Sequence, residues 1–129
     1  MTTKSLILTL AAVCGLSAQP PVVAHVPFAF EFQGKNFAAG KYQVVRLSNA
    51  PAVKLTNVAT GQAVMSMVTS IDDMGSHKNA LVFEKTGGAY YLHTVVDASS
   101  TTGYNVPRSR RQVESAKVEK PEVVFVAAK

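Results

Sequence analysis

Between His25 and Phe32 the sequence reads HVPFAFEF, with Val26, Phe28, Phe30 and Phe32 alternating with Pro27, Ala29 and Glu31. A period of two puts four apolar side chains on one face of an extended chain, the pattern of a half-buried strand. Proline has no N–H for a ladder, so Pro27 belongs near a strand start or on an edge. Burial of each phenylalanine contributes about 1.5–3 kcal/mol. This segment is therefore the expected anchor of the core.

The rest of the chain repeats the theme at short intervals. Residues 41–47 (KYQVVRL), 52–56 (AVKLT), 62–71 (QAVMSMVTSI), 80–85 (ALVFEK) and 89–96 (AYYLHTVV) are strand-like. Turn signals divide them: Gln33-Gly34-Lys35-Asn36, Ser48-Asn49-Ala50-Pro51, Asn57 to Gly61, and the turn-rich stretch 98–103. Phe37 dips back into the core after the first turn, and Thr86-Gly87-Gly88 reads as a hairpin connection. Met65 and Met67 share a face and are expected to fill the core. No helical periodicity separates these runs. The pattern predicts an all-β fold, a single antiparallel sandwich or barrel-like domain of about 6–8 short strands.

The last two dozen residues differ. Ser109 is followed three residues later by Gln112, the spacing of an N-cap and its reciprocal partner, and predicts a short C-terminal helix over 109–119. Its apolar stripe is thin, Val113 and Ala116, and Arg110 and Arg111 oppose the macrodipole in its first turn. Residues 122–128 (EVVFVAA) form a terminal strand. It either closes the sheet of its own domain or pairs with the edge of another chain, and home pairing is the simpler expectation.

The first residues address a compartment. Lys4, an apolar run from Ser5 to Leu16, and small residues leading to Gln19-Pro20-Pro21 have the layout of a secretory signal peptide. The run is short of the roughly 20 residues a membrane span needs. Residues 1–24 are read as the leader, with cleavage after Ala18 or after Ala24. Cys14 is the one cysteine and lies inside it, without the flanking residues of a lipoprotein site. The mature chain then has no thiol, which excludes disulfides and cysteine metal sites. Residues 25–106 are expected to form the β-domain and 107–129 a basic tail. From residue 25 to 107 there are six Lys/Arg against five Asp/Glu, and from 108 onward six against three. The expected location is the periplasm, cell envelope or extracellular space, with no membrane span once the leader is gone.

Several motifs occur together: Val26-Pro27-Phe28-Ala29-Phe30, Ala39-Gly40-Lys41-Tyr42-Gln43-Val44, Leu81-Val82-Phe83 with Gly88, Tyr90, Tyr91 and Leu92, and Pro107-Arg108-Ser109-Arg110. In order and spacing the chain resembles a family of small exported proteins found mainly in acidobacteria, over almost the whole mature length. The resemblance implies an exported β-domain and carries no catalytic residues to transfer. Ala38 departs from it, standing where a proline often precedes the Ala-Gly pair, which touches turn rigidity alone.

Candidate chemistry is sparse. His25, His77 and His93 lack a second ligand at metal-motif spacing. Asp72, Asp73 and His77 share a polar loop without the alternating acids of a calcium loop. No serine lies in a G-x-S-x-G setting. Tyr90 and Tyr91 face opposite sides of a strand, and with Tyr104 and no tryptophan they make a weak carbohydrate platform. The expectation is a protein that is not an enzyme, with no cofactor and no metal. Arg108, Arg110 and Arg111 form the one dense basic cluster, a contact for an anionic partner or simply a solvated helix start. Nucleic acid is disfavoured by export and by the lack of interleaved aromatics.

The leading expectation is thus binding or assembly, with a protein partner or self-association through the terminal strand. Two alternatives make structural demands. A small-ligand barrel needs a cavity lined by residues such as Phe30, Tyr42 or Leu92. A hydrolase with a dispersed site needs His77, His93, Asp72 and Asp73 to gather in one cleft.

Overall fold

Pro27 divides the alternating segment 25–32 in two. In a computed structural model, which describes residues 21–47, 50–72, 78–97 and 102–129, the segment forms β1 (Val22–Val26) and β2 (Phe30–Phe32). The proline interrupts the ladder, as its missing N–H requires. The side chains keep their period all the same: Val26, Phe30 and Phe32 are buried, and Phe28 is partly buried against the core.

Eleven strands and one helix follow from the described residues, more than the six to eight strands expected. The difference has local causes. Gln33 and Gly34 both adopt positive φ, 54° and 75°, so a two-residue turn suffices, and Lys35–Phe37 becomes β3 where a longer turn was expected. The remaining strands are β4 (Gly40–Arg46), β5 (Ala52–Asn57), β6 (Ala63–Met67), β7 (Thr69–Asp72), β8 (Ala80–Thr86), β9 (Ala89–Asp97), β10 (Thr102–Asn105) and β11 (Glu122–Ala127). The helix α1 (Arg110–Val118) precedes β11. Gly87 and Gly88, at φ 60° and 78°, make the tight turn between β8 and β9.

The strands form two sheets. One has the order β1-β4-β5-β6, and all its pairs are antiparallel. The other runs β11-β8-β9-β10-β7, with the β2–β3 hairpin attached to β9 through the parallel pair Glu31↔Tyr91. The all-β class with a short C-terminal helix is as expected, and the two sheets curl around one core. The apolar run 62–71 does not stay in one sheet. It leaves the first as β6 and enters the second as β7, turning the corner at the buried Val68, whose N–H donates to Pro51 O at 2.8 Å.

Met65 and Met67 alternate with the inward-facing Val64 and Ser66, so they lie on the uncovered outer face of the first sheet, 60% and 59% exposed, and do not fill the core as expected. The opposite corner is a seam between the two ends of the chain. Val23 N donates to Lys129 O at 3.2 Å, Lys129 N donates to Val23 O at 2.8 Å, and Ala24 bridges Ala128. The 24/25 and 106/107 divisions are therefore not boundaries of the fold. β1 starts at Val22, and the tail supplies α1 and a strand fully paired to β8.

Aromatic rings from both sheets fill the space between. Phe30 meets Phe37, Tyr42 and Phe83 at centroid distances of 5.5, 5.0 and 5.2 Å. Phe28 packs on Phe83 and stacks on Tyr90. The buried Tyr42 hydroxyl donates to Ala38 O at 2.5 Å and accepts from Asn57 Nδ2 at 3.0 Å. Asn57 Oδ1 in turn accepts from the N–H groups of Ala59 and Thr60, so the buried side chains of Tyr42 and Asn57 are both satisfied. Gln33 Nε2 donates to Ser66 Oγ at 2.8 Å and ties the β2–β3 hairpin to the first sheet.

Two phenylalanines separate core from surface in one experiment. Phe30→Ala is expected to lower unfolding stability by about 3–5 kcal/mol, and Phe125→Ala, at an exposed position, by no more than about 0.5 kcal/mol. Urea denaturation of the two variants checks this, and equal losses would place Phe30 outside the core.

Candidate functional site

The densest polar chemistry lies on the outer face of β8 and β9, under α1. Val82 pairs with Thr94 and Phe83 with Leu92, which leaves His93 as the extra residue of a β-bulge on β9. A bulge re-aims the side chain it carries. His93 Nε2 comes within 3.9 Å of Glu84 Oε2, and its carbonyl accepts from Val106 N at 2.7 Å. Glu84 is buried, and a carboxylate without partners there would be costly.

Those partners come from the tail. Arg108 donates from Nε to Glu84 Oε1 at 3.0 Å and from Nη2 to Glu84 Oε2 at 2.6 Å, a two-point clamp. Gln112 Nε2 donates to Glu84 Oε1 at 2.9 Å. One turn along, Arg111 Nη1 donates to Glu31 Oε2 at 2.9 Å. Ser109 caps α1, its hydroxyl accepting from Gln112 N at 3.1 Å. The Gln112 side chain does not reach back to the cap, because the buried carboxylate competes successfully for it. The far end is tied as well. Glu119 Oε1 accepts from Gly87 N, and Thr86 Oγ1 donates to Glu119 O at 3.1 Å.

The charges move as this geometry requires. The Arg108 guanidinium holds the Glu84 carboxyl below its usual range despite burial, and Glu84 raises Arg108 in return. Burial pushes His93 below its ordinary value, only partly offset by the Glu84 charge. Its Nδ1 is buried without a hydrogen-bond partner among the described residues. Among them, too, no group of three or more metal-ligating side chains gathers. With both Glu84 oxygens engaged, the cluster latches a helix to a sheet.

Of the three arginines expected to meet an anionic partner, Arg108 and Arg111 are thus spent on internal carboxylates. Arg110 alone is exposed without an ion-pair partner among the described residues. The partners Glu84 and Glu31 lie 24 and 80 residues away in sequence, beyond the reach of local pattern. Asp73 and His77 lie outside the described residues, and Asp72 is described only in its backbone. His25 is exposed on β1. Tyr90 faces inward against Phe28, and Tyr91 is buried on the opposite side. Tyr104 lies beneath Arg46 at 5.4 Å. Phe30, Tyr42 and Leu92 are packed into the core, so the interior a small ligand would occupy is filled by side chains.

A second surface emerges at the seam. Lys129 turns its N–H and C=O toward β1, and Ala128 N turns the other way, to Asn79 O at 3.0 Å. Alternation along the strand then points the backbone groups of Val123, Phe125 and Ala127 away from β8. Beyond the Ala24–Ala128 bridge β1 and β11 separate, leaving a cleft of about 540 Å³ lined by residues including His25, Lys41 and Ala127. From there back to Glu122 the outer edge of β11 has no paired strand among the described residues. Phe125 and Val123 stand beside that edge, 70% and 56% exposed.

No protein-family model, curated protein or solved structure matches the chain. Among the described residues no helix is long and apolar enough to cross a membrane.

The latch predicts a pH dependence with a fixed sign. A histidine depressed when folded binds fewer protons than when unfolded, so stability falls as pH drops below about 6.5. Glu84, also depressed, contributes stability above its ordinary value of 4.5 that is lost as pH falls through the folded value. His93→Gln should flatten the first decline. Glu84→Gln should flatten the second and cost about 1–3 kcal/mol at neutral pH by weakening charge-assisted bonds. Urea unfolding across pH reads both, and unchanged acid limbs would contradict the assignment.

Proposed function

We propose that this chain is an exported β-domain that works without catalysis, by binding or assembly in the cell envelope or outside the cell, and that the open edge of β11 is its contact surface. The observation that carries the reading is an apolar strand edge that no strand among the described residues pairs, with Phe125 and Val123 in solvent beside it. Exposed edges are templates for strand addition, and proteins commonly blunt them with charge, proline or a bulge. Here Pro121, Glu122 and Lys129 sit only at the ends of β11, and its middle is Val-Val-Phe-Val. The leader supports export. The bland use of the basic cluster, as internal ion pairs, leaves this edge as the better candidate for a partner.

Deleting the terminal strand is the wrong test, since β11 also completes the protein's own sheet and buries Val126. A photoreactive phenylalanine at position 125 leaves the fold intact. In cells exporting the protein it should give a discrete crosslinked species, and the same probe at the exposed Lys54 on β5 should not. Val123→Lys with Phe125→Lys should abolish association of the unlabelled chain, with a stability change within about 0.5 kcal/mol per site. Identical, adduct-free results from both probe positions would refute the reading.

A further inference from the structure

We infer that the leader is removed between Ala18 and Gln19, and that residues 19–24 belong to the mature protein. The inference rests on the export reading and deepens it. Sequence chemistry offers two small-residue exits, after Ala18 and after Ala24. The fold discriminates between them, because the second lies inside β1.

Val22, Val23 and Ala24 are three of the five residues of β1, and Val22 and Ala24 are each 3% exposed. They pair with Val44, Gln43 and Tyr42, covering the edge of β4 over the middle of the core. Val23 makes both backbone hydrogen bonds to Lys129, and Ala24 makes the bridge to Ala128. A cut after Ala24 would remove every one of these contacts. It would leave His25 and Val26 paired to Lys41 and Gly40, two residues where a strand rarely has fewer than about three. The Tyr42 and Val44 edge would be uncovered and the C-terminal strand released from the first. A cut after Ala18 removes none of them and leaves Gln19-Pro20-Pro21 as a short lead into Val22.

The step is hydrolysis by a membrane-bound signal peptidase. Water adds across the Ala18–Gln19 peptide bond, Ala18 leaves with the new carboxylate, and Gln19 keeps the new amine. That amine can then attack the Gln19 side-chain Cδ, forming the N–Cδ bond as the Cδ–Nε2 bond breaks and ammonia departs.

Intact-mass spectrometry of the full-length chain expressed in a Gram-negative host tests the site. The C-terminus should be left untagged, since Lys129 is part of the seam. The exported protein is expected to have the mass of residues 19–129, with or without loss of one ammonia. The mass of residues 25–129 would overturn the inference while leaving export standing. A chain still beginning at Met1 would overturn both. Ala18→Phe supplies the second arm, because it removes the small residue the peptidase requires. The 19–129 species should disappear in that variant, and its persistence would contradict the assigned bond.

Discussion

Two backbone hydrogen bonds between Val23 and Lys129 bring β1 and β11 together, and this junction closes one side of the space between the two sheets. On the opposite side the sheets are continuous through Val68, where one run of chain passes from β6 into β7. With a covalent corner there and a hydrogen-bonded corner here, the two sheets enclose the aromatic cluster around Phe30, Tyr42 and Phe83. The junction is short, however. It holds at Lys129 and Ala128 and then opens, so the strand that closes the fold also presents an edge that no other strand among the described residues pairs.

The helix depends on a different balance. α1 has only a thin apolar stripe and basic residues where its dipole prefers acids, so local propensity does little to hold it in place. Buried carboxylates on the sheet do that instead. Glu84 and Glu31 each face an arginine from the helix or its approach, and Gln112 adds a second donor to Glu84 Oε1. Desolvating Glu84 is unfavourable by itself, and the two-point contact with Arg108 offsets it. Removing Arg108 leaves the Glu84 charge in a place that cannot solvate it well, whereas the half-exposed guanidinium left by removing Glu84 can turn to water. Because α1 leads directly into β11, the latch also fixes where the terminal strand begins.

Much of this is legible in the amino-acid sequence, for physical reasons that also mark where legibility ends. Period-two alternation identifies the buried side chains of 25–32 even though Pro27 breaks the strand, because side-chain facing survives an interruption in the ladder. Ser109 is readable as a cap because the donor it satisfies is three residues away. The corner at Val68 is not readable, since a strand that changes sheets keeps the same apolar composition on both sides. Nor is the exposure of Met65, Met67, Val123 and Phe125, because hydrophobicity does not say which face of a strand will be left uncovered. The role of Arg108 and Arg111 depends on carboxylates that only the tertiary fold brings near. His93 is placed by a bulge, and no local signal distinguishes it from an ordinary strand residue.

The central claim is that β11 is paired along one side and open along the other except at its last residue. Amide hydrogen exchange of the monomeric mature protein, read residue by residue by NMR, measures this directly. The account predicts an alternation: the N–H groups of Val124, Val126 and Ala128 protected by β8, those of Val123, Phe125 and Ala127 exchanging rapidly, and Lys129 protected by Val23. Uniform protection from Val123 through Lys129 in the monomer would show that the edge is covered by the protein itself and would contradict the account.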